Sequence, residues 1–143
     1  MNPVGILLVE DNEGDVLLTR VALEEAEILF TMSVVRDGKE AINFLNKEGK
    51  YADAVMPQLV LLDINLPKKN GHEVLKYIKG NENVKHIPVI ILTTSSSQKD
   101  IDMAYDNGAS GFITKPSDVN EFLTNVTSVV NFWISKIKNS QGN

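Results

Sequence analysis

The chain has 143 residues, 43% of them apolar and 23% charged, which is typical of one folded domain and excludes both a disordered chain and a second folded domain. It has no cysteine and only two histidines, which excludes a disulfide scaffold, a thiolate metal site and a cysteine nucleophile, and disfavours a histidine-rich metal site. Fourteen basic and nineteen acidic residues give a net charge of −5, and this sign disfavours direct binding to nucleic acid or to an anionic membrane.

The amino-terminal segment predicts a buried strand and no targeting sequence. Ile6–Val9 is a short apolar run bounded by charge, which favours a parallel strand covered on both faces. It ends in Glu10 and Asp11 with no basic run before it, unlike a signal peptide, and no apolar run approaches the roughly 20 residues that span a bilayer. We therefore expect a cytoplasmic protein.

The next elements continue the alternation of strand and helix. Apolar residues at helical spacing up to Glu27 predict a first helix, and Phe30–Val35 predicts a second strand followed by a short helix that ends near Asn46. The stretch Glu48–Pro57 is polar and punctuated by glycine and proline, so we expect a loop there.

Three further units complete the chain. Leu59–Leu62 and Val89–Leu92 predict strands, each followed by an amphipathic segment, and Phe112–Thr114 predicts a short fifth strand. Asp118 is the expected cap of a final helix. Its predicted apolar stripe comprises Val119, Leu123, Val126, Val130 and Trp133.

Five strand–helix units predict a doubly wound α/β sandwich. Parallel strands need right-handed crossovers, and each crossover places a helix on one face of the sheet. Ligands of such sheets bind beyond the carboxyl ends of the strands, so the residues that follow each apolar run are the candidates for chemistry.

Carboxylates, hydroxyls and a lysine follow four of the predicted strands. Glu10 and Asp11 end the first strand, Asp63 the third, Thr93 the fourth and Lys115 the fifth. Crowded carboxylates are stabilised by a hard divalent cation, which predicts a Mg²⁺ site. A cation beside an aspartate, a hydroxyl and an ammonium is also suited to phosphoryl transfer, with Asp63 as the nucleophile.

These residues resemble the receiver domain of bacterial two-component response regulators. The resemblance is carried by Ile6–Asp11, by Leu61–Pro67 with Gly71, by Pro88–Thr94 and by Lys115 with its following proline, and it covers nearly the whole chain. It implies a five-stranded parallel sheet of order 2-1-3-4-5, the flavodoxin-like receiver fold. We expect one receiver domain over residues 1–138 and a polar tail over 139–143, with no output domain attached.

The resemblance also implies a role for each residue at the predicted site. Asp63 accepts a phosphoryl group from a kinase phosphohistidine, and Lys115 pairs with that group. Asp11, Asp63 and the backbone carbonyl of Asn65 ligate Mg²⁺ or Mn²⁺, and Glu10 contributes through water. The protein is then a phosphoacceptor in signalling and not an enzyme.

A conformational switch is implied by the same resemblance. The hydroxyl of Thr93 moves onto the phosphoryl group, Phe112 turns into the vacated space, and the face made by the fourth helix, fifth strand and fifth helix changes shape. Asn65 and Ser95 occupy the positions that tune dephosphorylation, and neither is an acid or base that activates water, so slow self-hydrolysis is expected.

Some features point to a subgroup of the family. Glu10 replaces the commoner aspartate, and Phe112 lacks the hydroxyl of a tyrosine. The long connection Lys47–Gln58 and the sequence Leu66–Gly71 look like single-domain regulators that serve phytochrome-type sensor kinases. We expect such a kinase as partner, together with a downstream protein target.

The last helix carries more apolar residues than one sheet face can cover. The surplus residues are Phe132, Trp133, Ile134 and Ile137. Exposed apolar patches are typical of protein interfaces, so we expect a homodimer or a kinase-docking contact there.

Other classes of protein fit the sequence less well. A haloacid-dehalogenase-type phosphatase has a second aspartate where this chain has Asn65. A flavodoxin-like electron carrier would have to bind its flavin phosphate at the loop Glu10–Asp15, whose acidic residues would repel it. The sequence contains no phosphate-binding P-loop, which excludes a nucleotide-hydrolysing enzyme. A receiver-like interaction module that is not phosphorylated remains as the alternative.

Overall fold

The computed structural model describes residues 3–66, 70–94, 97–115 and 118–141, and its side chains are described as far as residue 139. These residues form five strands and five α-helices. In chain order they are β1 (Val4–Val9), α1 (Glu13–Glu25), β2 (Phe30–Val35), α2 (Gly38–Leu45), β3 (Leu59–Leu62), α3 (Gly71–Lys79), β4 (Val89–Thr93), α4 (Gln98–Asp106), β5 (Gly111–Thr114) and α5 (Val119–Gln141).

The strands form one parallel sheet of order β2-β1-β3-β4-β5. Every residue of β3 and β4 is buried, because these two strands lie inside the sheet and helices cover both of its faces. The predicted fold class and strand order are thus confirmed, and the carboxyl ends of all five strands lie along one edge.

Each face of the sheet has its own hydrophobic core. Alternate residues of a strand point to opposite faces, so Leu62 and Ile91 lie in the core under α2, α3 and α4, whereas Leu61 and Ile90 lie in the core under α1 and α5. These two cores fix the strands on both sides and so fix the residues that follow them.

The buried stripe of α5 differs from the predicted one. Phe122, Val126, Val130 and Ile134 recur every four residues and are buried, while Val119 is 49% exposed. Ile134 is only 6% exposed, so its prediction as an interface residue is wrong: its position continues the stripe that faces the sheet.

The connection before β3 contains one short element, a 3₁₀ turn at Gly49–Tyr51, within the segment predicted as loop. The ring of Tyr51 packs against that of Phe44 at 5.2 Å between centroids, and its hydroxyl donates to Glu40 at 2.6 Å. These contacts hold the connection against α2.

Helix α5 continues to Gln141 and therefore includes the first three residues of the predicted tail. Within the described residues, no helix has both the length and the apolar character needed to cross a membrane.

Candidate functional site

An acidic cluster lies at the carboxyl ends of β1 and β3. Carboxylate oxygens of Glu10, Asp11 and Asp63 all lie within 4.8 Å of one another. Glu10 and Asp63 are buried, at 1% and 7% exposure, whereas Asp11 is exposed and leaves the cluster open to solvent. Three carboxylates this close repel one another, and a hard divalent cation with oxygen ligands relieves that repulsion. The donor set therefore fits the predicted metal.

The ammonium group of Lys115 lies beside this cluster. Its side chain is 7% exposed and reaches from the end of β5 to three carboxylates. It donates to Glu10, to Asp15 Oδ2 at 2.9 Å and to Asp63 Oδ2 at 3.3 Å. The lysine thus links the fifth strand to the ends of β1 and β3 and to the first turn of α1.

Burial and charge change the titration of two groups in the site. Burial raises the pKa of Glu10 to about 7, although the hydrogen bond from Lys115 acts in the opposite direction. Burial alone would lower the pKa of Lys115, but its hydrogen bonds to Glu10 and Asp15 outweigh that effect and hold the pKa above its ordinary value. Lys115 is therefore a cation throughout the physiological range.

The loop after β3 holds the carboxylate of Asp63 in place. The backbone N–H of Asn65 donates to Asp63 Oδ1 at 2.9 Å, and the side-chain amide of Asn65 donates to the hydroxyl oxygen of Thr93 at 3.0 Å. Thr93 is fully buried at the end of β4. Asn65 therefore connects the acidic cluster to the predicted switch hydroxyl.

Helix α3 closes directly onto that loop. The N–H of Gly71 donates to the carbonyl of Ile64 at 3.1 Å, and Asn70 and Glu73 form a capping box at the start of the helix. A Cβ atom on Gly71 would lie 2.3 Å from Ile64 Cα and 2.5 Å from the carbonyl oxygen of Asp63. Only glycine permits this approach of helix and loop.

Most of the predicted site residues lie together. Glu10, Asp11, Asp63 and Lys115 lie at one edge of the sheet, with Asn65 and Thr93 next to them. Ser95 lies outside the described residues, as do Pro67 and Pro116 of the predicted motifs.

Phe112 lies on β5. Its ring is half-buried and packs against the core under α4, so the structure shows it on the face expected to change shape.

Asp15 is the site residue that sequence reasoning missed. Its sequence signal is weak, because an acidic residue in the first turn of a helix is usually explained by the helix dipole alone. Only the folded structure, in which the Lys115 side chain reaches the first turn of α1, reveals the contact.

The remaining residues of the predicted interface lie elsewhere. Phe132 is 54% exposed, whereas Trp133 and Ile137 are half-buried. Trp133 and Ile137 line a cavity of about 310 Å³ with Pro57 and Pro88, which precede β3 and β4. This surface is therefore at the end of the sheet opposite to the acidic cluster.

Comparisons with known proteins agree with this geometry over nearly the whole chain. The family model for the response regulator receiver domain matches residues 6–127. Response regulator Rcp1 of Synechocystis sp. is 38% identical over 135 residues, which cover 94% of this chain and 92% of Rcp1.

Two crystal structures are similar in fold and sequence. The phosphorylated cyanobacterial phytochrome response regulator RcpA superposes with a TM-score of 0.89 at 41% identity, covering 94% of this chain and 96% of RcpA. The Mn²⁺-bound form of Rcp1 superposes with a TM-score of 0.87 at 39% identity, covering 92% of this chain and 94% of Rcp1.

Proposed function

The chain belongs to the response regulator receiver family, and from that premise we propose that Asp63 accepts a phosphoryl group from the phosphohistidine of a sensor histidine kinase. An Asp63 carboxylate oxygen attacks phosphorus, the P–N bond breaks, and the imidazole leaves. The observation that carries this proposal is the position of Lys115 Nζ, 3.3 Å from Asp63 Oδ2, where it can neutralise charge on the phosphoryl oxygens.

A divalent cation fits the acidic cluster, and we propose that it is Mg²⁺, which Mn²⁺ can replace. Asp11, Asp63 and the backbone carbonyl of Asn65 would hold it, with Glu10 acting through water. The cation would supply positive charge to the phosphoryl oxygens. The Mn²⁺-bound form of the similar protein Rcp1 supports a metal of this class.

We propose that phosphorylation is read out through Thr93 and Phe112. The hydroxyl of Thr93 moves to a phosphoryl oxygen, Phe112 turns inward, and the face formed by α4, β5 and α5 changes shape. The position of Phe112 supports this, because its ring is half-buried and lines a cavity between β5 and α5. Asn65 and Ser95 offer no strong base to activate water, so autodephosphorylation is slow.

The partners follow from chain type and charge. We propose a cytoplasmic receiver domain over residues 1–138, followed by the polar residues 139–143. Its kinase is of the phytochrome type, which its similarity to the phytochrome response regulator RcpA supports. Its downstream target is a protein, since a net charge of −5 opposes contact with nucleic acid or an anionic membrane.

We also propose that Phe132, Trp133 and Ile137 form a homodimer contact.

Intact-mass measurement after incubation with acetyl phosphate tests the phosphoacceptor role. We expect a Mg²⁺-dependent gain of about 80 Da, one phosphoryl group, in the wild type and no gain in Asp63→Asn. Asp53→Asn, at an exposed aspartate of the connection before β3, is the matched control and should be labelled like the wild type.

An unlabelled wild type that also fails to bind beryllofluoride would overturn the proposal. It would leave the non-phosphorylated interaction module as the function of the domain.

A further inference from the structure

We propose that Asp15 is a positioning residue that anchors the ammonium group of Lys115 at the phosphoacceptor. This inference rests on the phosphoacceptor role of Asp63. Lys115 Nζ lies 2.9 Å from Asp15 Oδ2, closer than its 3.3 Å distance to Asp63 Oδ2. The contact therefore keeps the ammonium within reach of Asp63.

Asp15 is held firmly by its own helix. Its backbone N–H donates to the side chain of Asn12, the N-cap of α1, at 3.0 Å, and its carbonyl accepts from the hydroxyl of Thr19 at 2.8 Å. Its side chain is 27% exposed, and Val16 beside it is buried in the core under α1. The position of the Asp15 carboxylate is thus set by helix packing and by the cap.

The other two carboxylates that contact Lys115, those of Glu10 and Asp63, also belong to the proposed metal site. Glu10 and Asp63 belong to the acidic cluster that fits a metal, and Asp63 is the proposed acceptor of the phosphoryl group. Among the described residues, Asp15 lies outside that cluster although it contacts the same ammonium. When a cation and a phosphoryl group engage Glu10 and Asp63, Asp15 keeps its hydrogen bond to the lysine.

An anchor matters because lysine is a flexible side chain. Its four-carbon stem has many rotamers, and this freedom is lost when the ammonium is fixed on a phosphoryl oxygen. An ammonium has three N–H donors, so one can remain on Asp15 while another reaches the phosphoryl group. Asp15 therefore fixes the lysine before the phosphoryl group arrives.

A purely electrostatic role of Asp15 would have the opposite effect on the binding of a phosphoryl analogue. If Asp15 only added negative charge, it would repel the anionic phosphoryl group, and its removal would strengthen binding of a phosphoryl analogue. An anchor weakens binding when it is removed. The direction of the change therefore separates the two roles.

Beryllofluoride binding in the presence of Mg²⁺, measured by calorimetry on the full chain, tests the proposal. We expect Asp15→Ala to weaken binding by about tenfold, the loss typical of residues that orient a ligand side chain. Asp15→Asn keeps an oxygen acceptor and should recover part of the affinity. Glu13→Ala is the control, because Glu13 carries the same charge about half a helical turn away and pairs with Arg36 instead of Lys115. This variant should bind beryllofluoride like the wild type.

A spectroscopic measurement separates anchoring from a loss of folding. The ¹H–¹⁵N signal of the Lys115 ammonium should be visible in the wild type and in Asp15→Asn, and should be broadened by exchange in Asp15→Ala at unchanged far-ultraviolet circular dichroism. Wild-type affinity or tighter binding in Asp15→Ala would overturn the role of Asp15 alone. No binding by the wild type would instead overturn the phosphoacceptor role itself.

Discussion

The side-chain amide of Asn65 donates a 3.0 Å hydrogen bond to the hydroxyl oxygen of Thr93. Thr93 is fully buried, so the hydroxyl proposed to move onto the phosphoryl group is held by a residue next to the phosphoacceptor. This contact belongs to the state shown in the structure. Movement of the hydroxyl has to break it, and the contact therefore opposes the active state.

Asn65→Ala should shift the switch toward the active state. One hydrogen bond contributes about 1 kcal/mol, and its loss from the inactive state alone tightens beryllofluoride binding about fivefold. Calorimetric titration in Mg²⁺ measures this change. Asn131→Ala, at an exposed position of α5, is the control and should bind like the wild type. Weaker binding by Asn65→Ala would show that this hydrogen bond does not restrain the switch.

Gly71→Ala should displace the loop that carries Asp63. The added Cβ would lie 2.3 Å from Ile64 Cα, and both partners of this clash are backbone, so the helix and the loop must move apart. Such overpacking costs about 1 to 3 kcal/mol. We expect a lower free energy of unfolding in urea and weaker Mg²⁺ binding.

Gly111→Ala provides the comparison for that substitution. A Cβ there would meet Val129 and Ile90 at 3.6 and 3.7 Å, which are ordinary contacts. Its unfolding free energy should stay within about 1 kcal/mol of the wild type, since alanine also reduces the entropy cost of a glycine in a strand. Equal unfolding curves for the two variants would contradict the close approach at Gly71.

The sequence predicted the sheet well because β1, β3 and β4 contain continuous apolar runs. The predicted bounds of β2 and β3 agree with the structure, and the residues that follow the strands meet at one edge because parallel strands place them there. Glu10, Asp63 and Lys115 could therefore be grouped before any contact was known.

Contacts made by helices were harder to predict. The link from Asp15 to Lys115 depends on where the first turn of α1 lies relative to the Lys115 side chain. A separation of 100 residues in the chain gives no sign of this contact. Ile134 was assigned to the surface because the sequence gives the number of apolar residues on α5 but not the rotation of the helix. Packing of the helix on the sheet decides that rotation.

Phe132→Ser should weaken the proposed homodimer. The ring of Phe132 is 54% exposed, meets Trp133 edge-on at 5.5 Å, and lies under the ammonium of Lys136 at 5.1 Å. Losing an aromatic contact at the centre of an interface costs about 2 kcal/mol, or roughly a 30-fold weaker dimer. Sedimentation equilibrium measures the dissociation constant.

Val119→Ser is the control for the homodimer. Val119 is similarly exposed, at 49%, but lies at the other end of α5. This variant should associate like the wild type, and both variants should keep the wild-type unfolding free energy within about 0.5 kcal/mol because both sites are exposed. A wild type that stays monomeric at every concentration would contradict the dimer.

Tyr51 should make the stability of the domain depend on pH in the alkaline range. Burial and the 2.6 Å hydrogen bond to Glu40 raise the pKa of Tyr51 from 10.0 to about 12. The folded state thus holds the phenol proton more tightly than the unfolded state does. The resulting stability is fully present below pH 10 and is lost as the pH rises through about 12.

Comparison with Tyr51→Phe tests that sign. At pH 8 the variant should be less stable by roughly 1 kcal/mol, a value reduced because the pair is partly exposed, and the difference should shrink above pH 10. Absorbance at 295 nm follows the ionisation of tyrosine, so the difference between the wild-type and Tyr51→Phe titrations isolates Tyr51. The midpoint of this difference should lie near pH 12. Glu40→Gln should lower that midpoint, since it removes the charge that opposes ionisation of the phenol. A midpoint near 10 in the wild type would show that the hydrogen bond between Tyr51 and Glu40 does not hold the connection to α2 in solution.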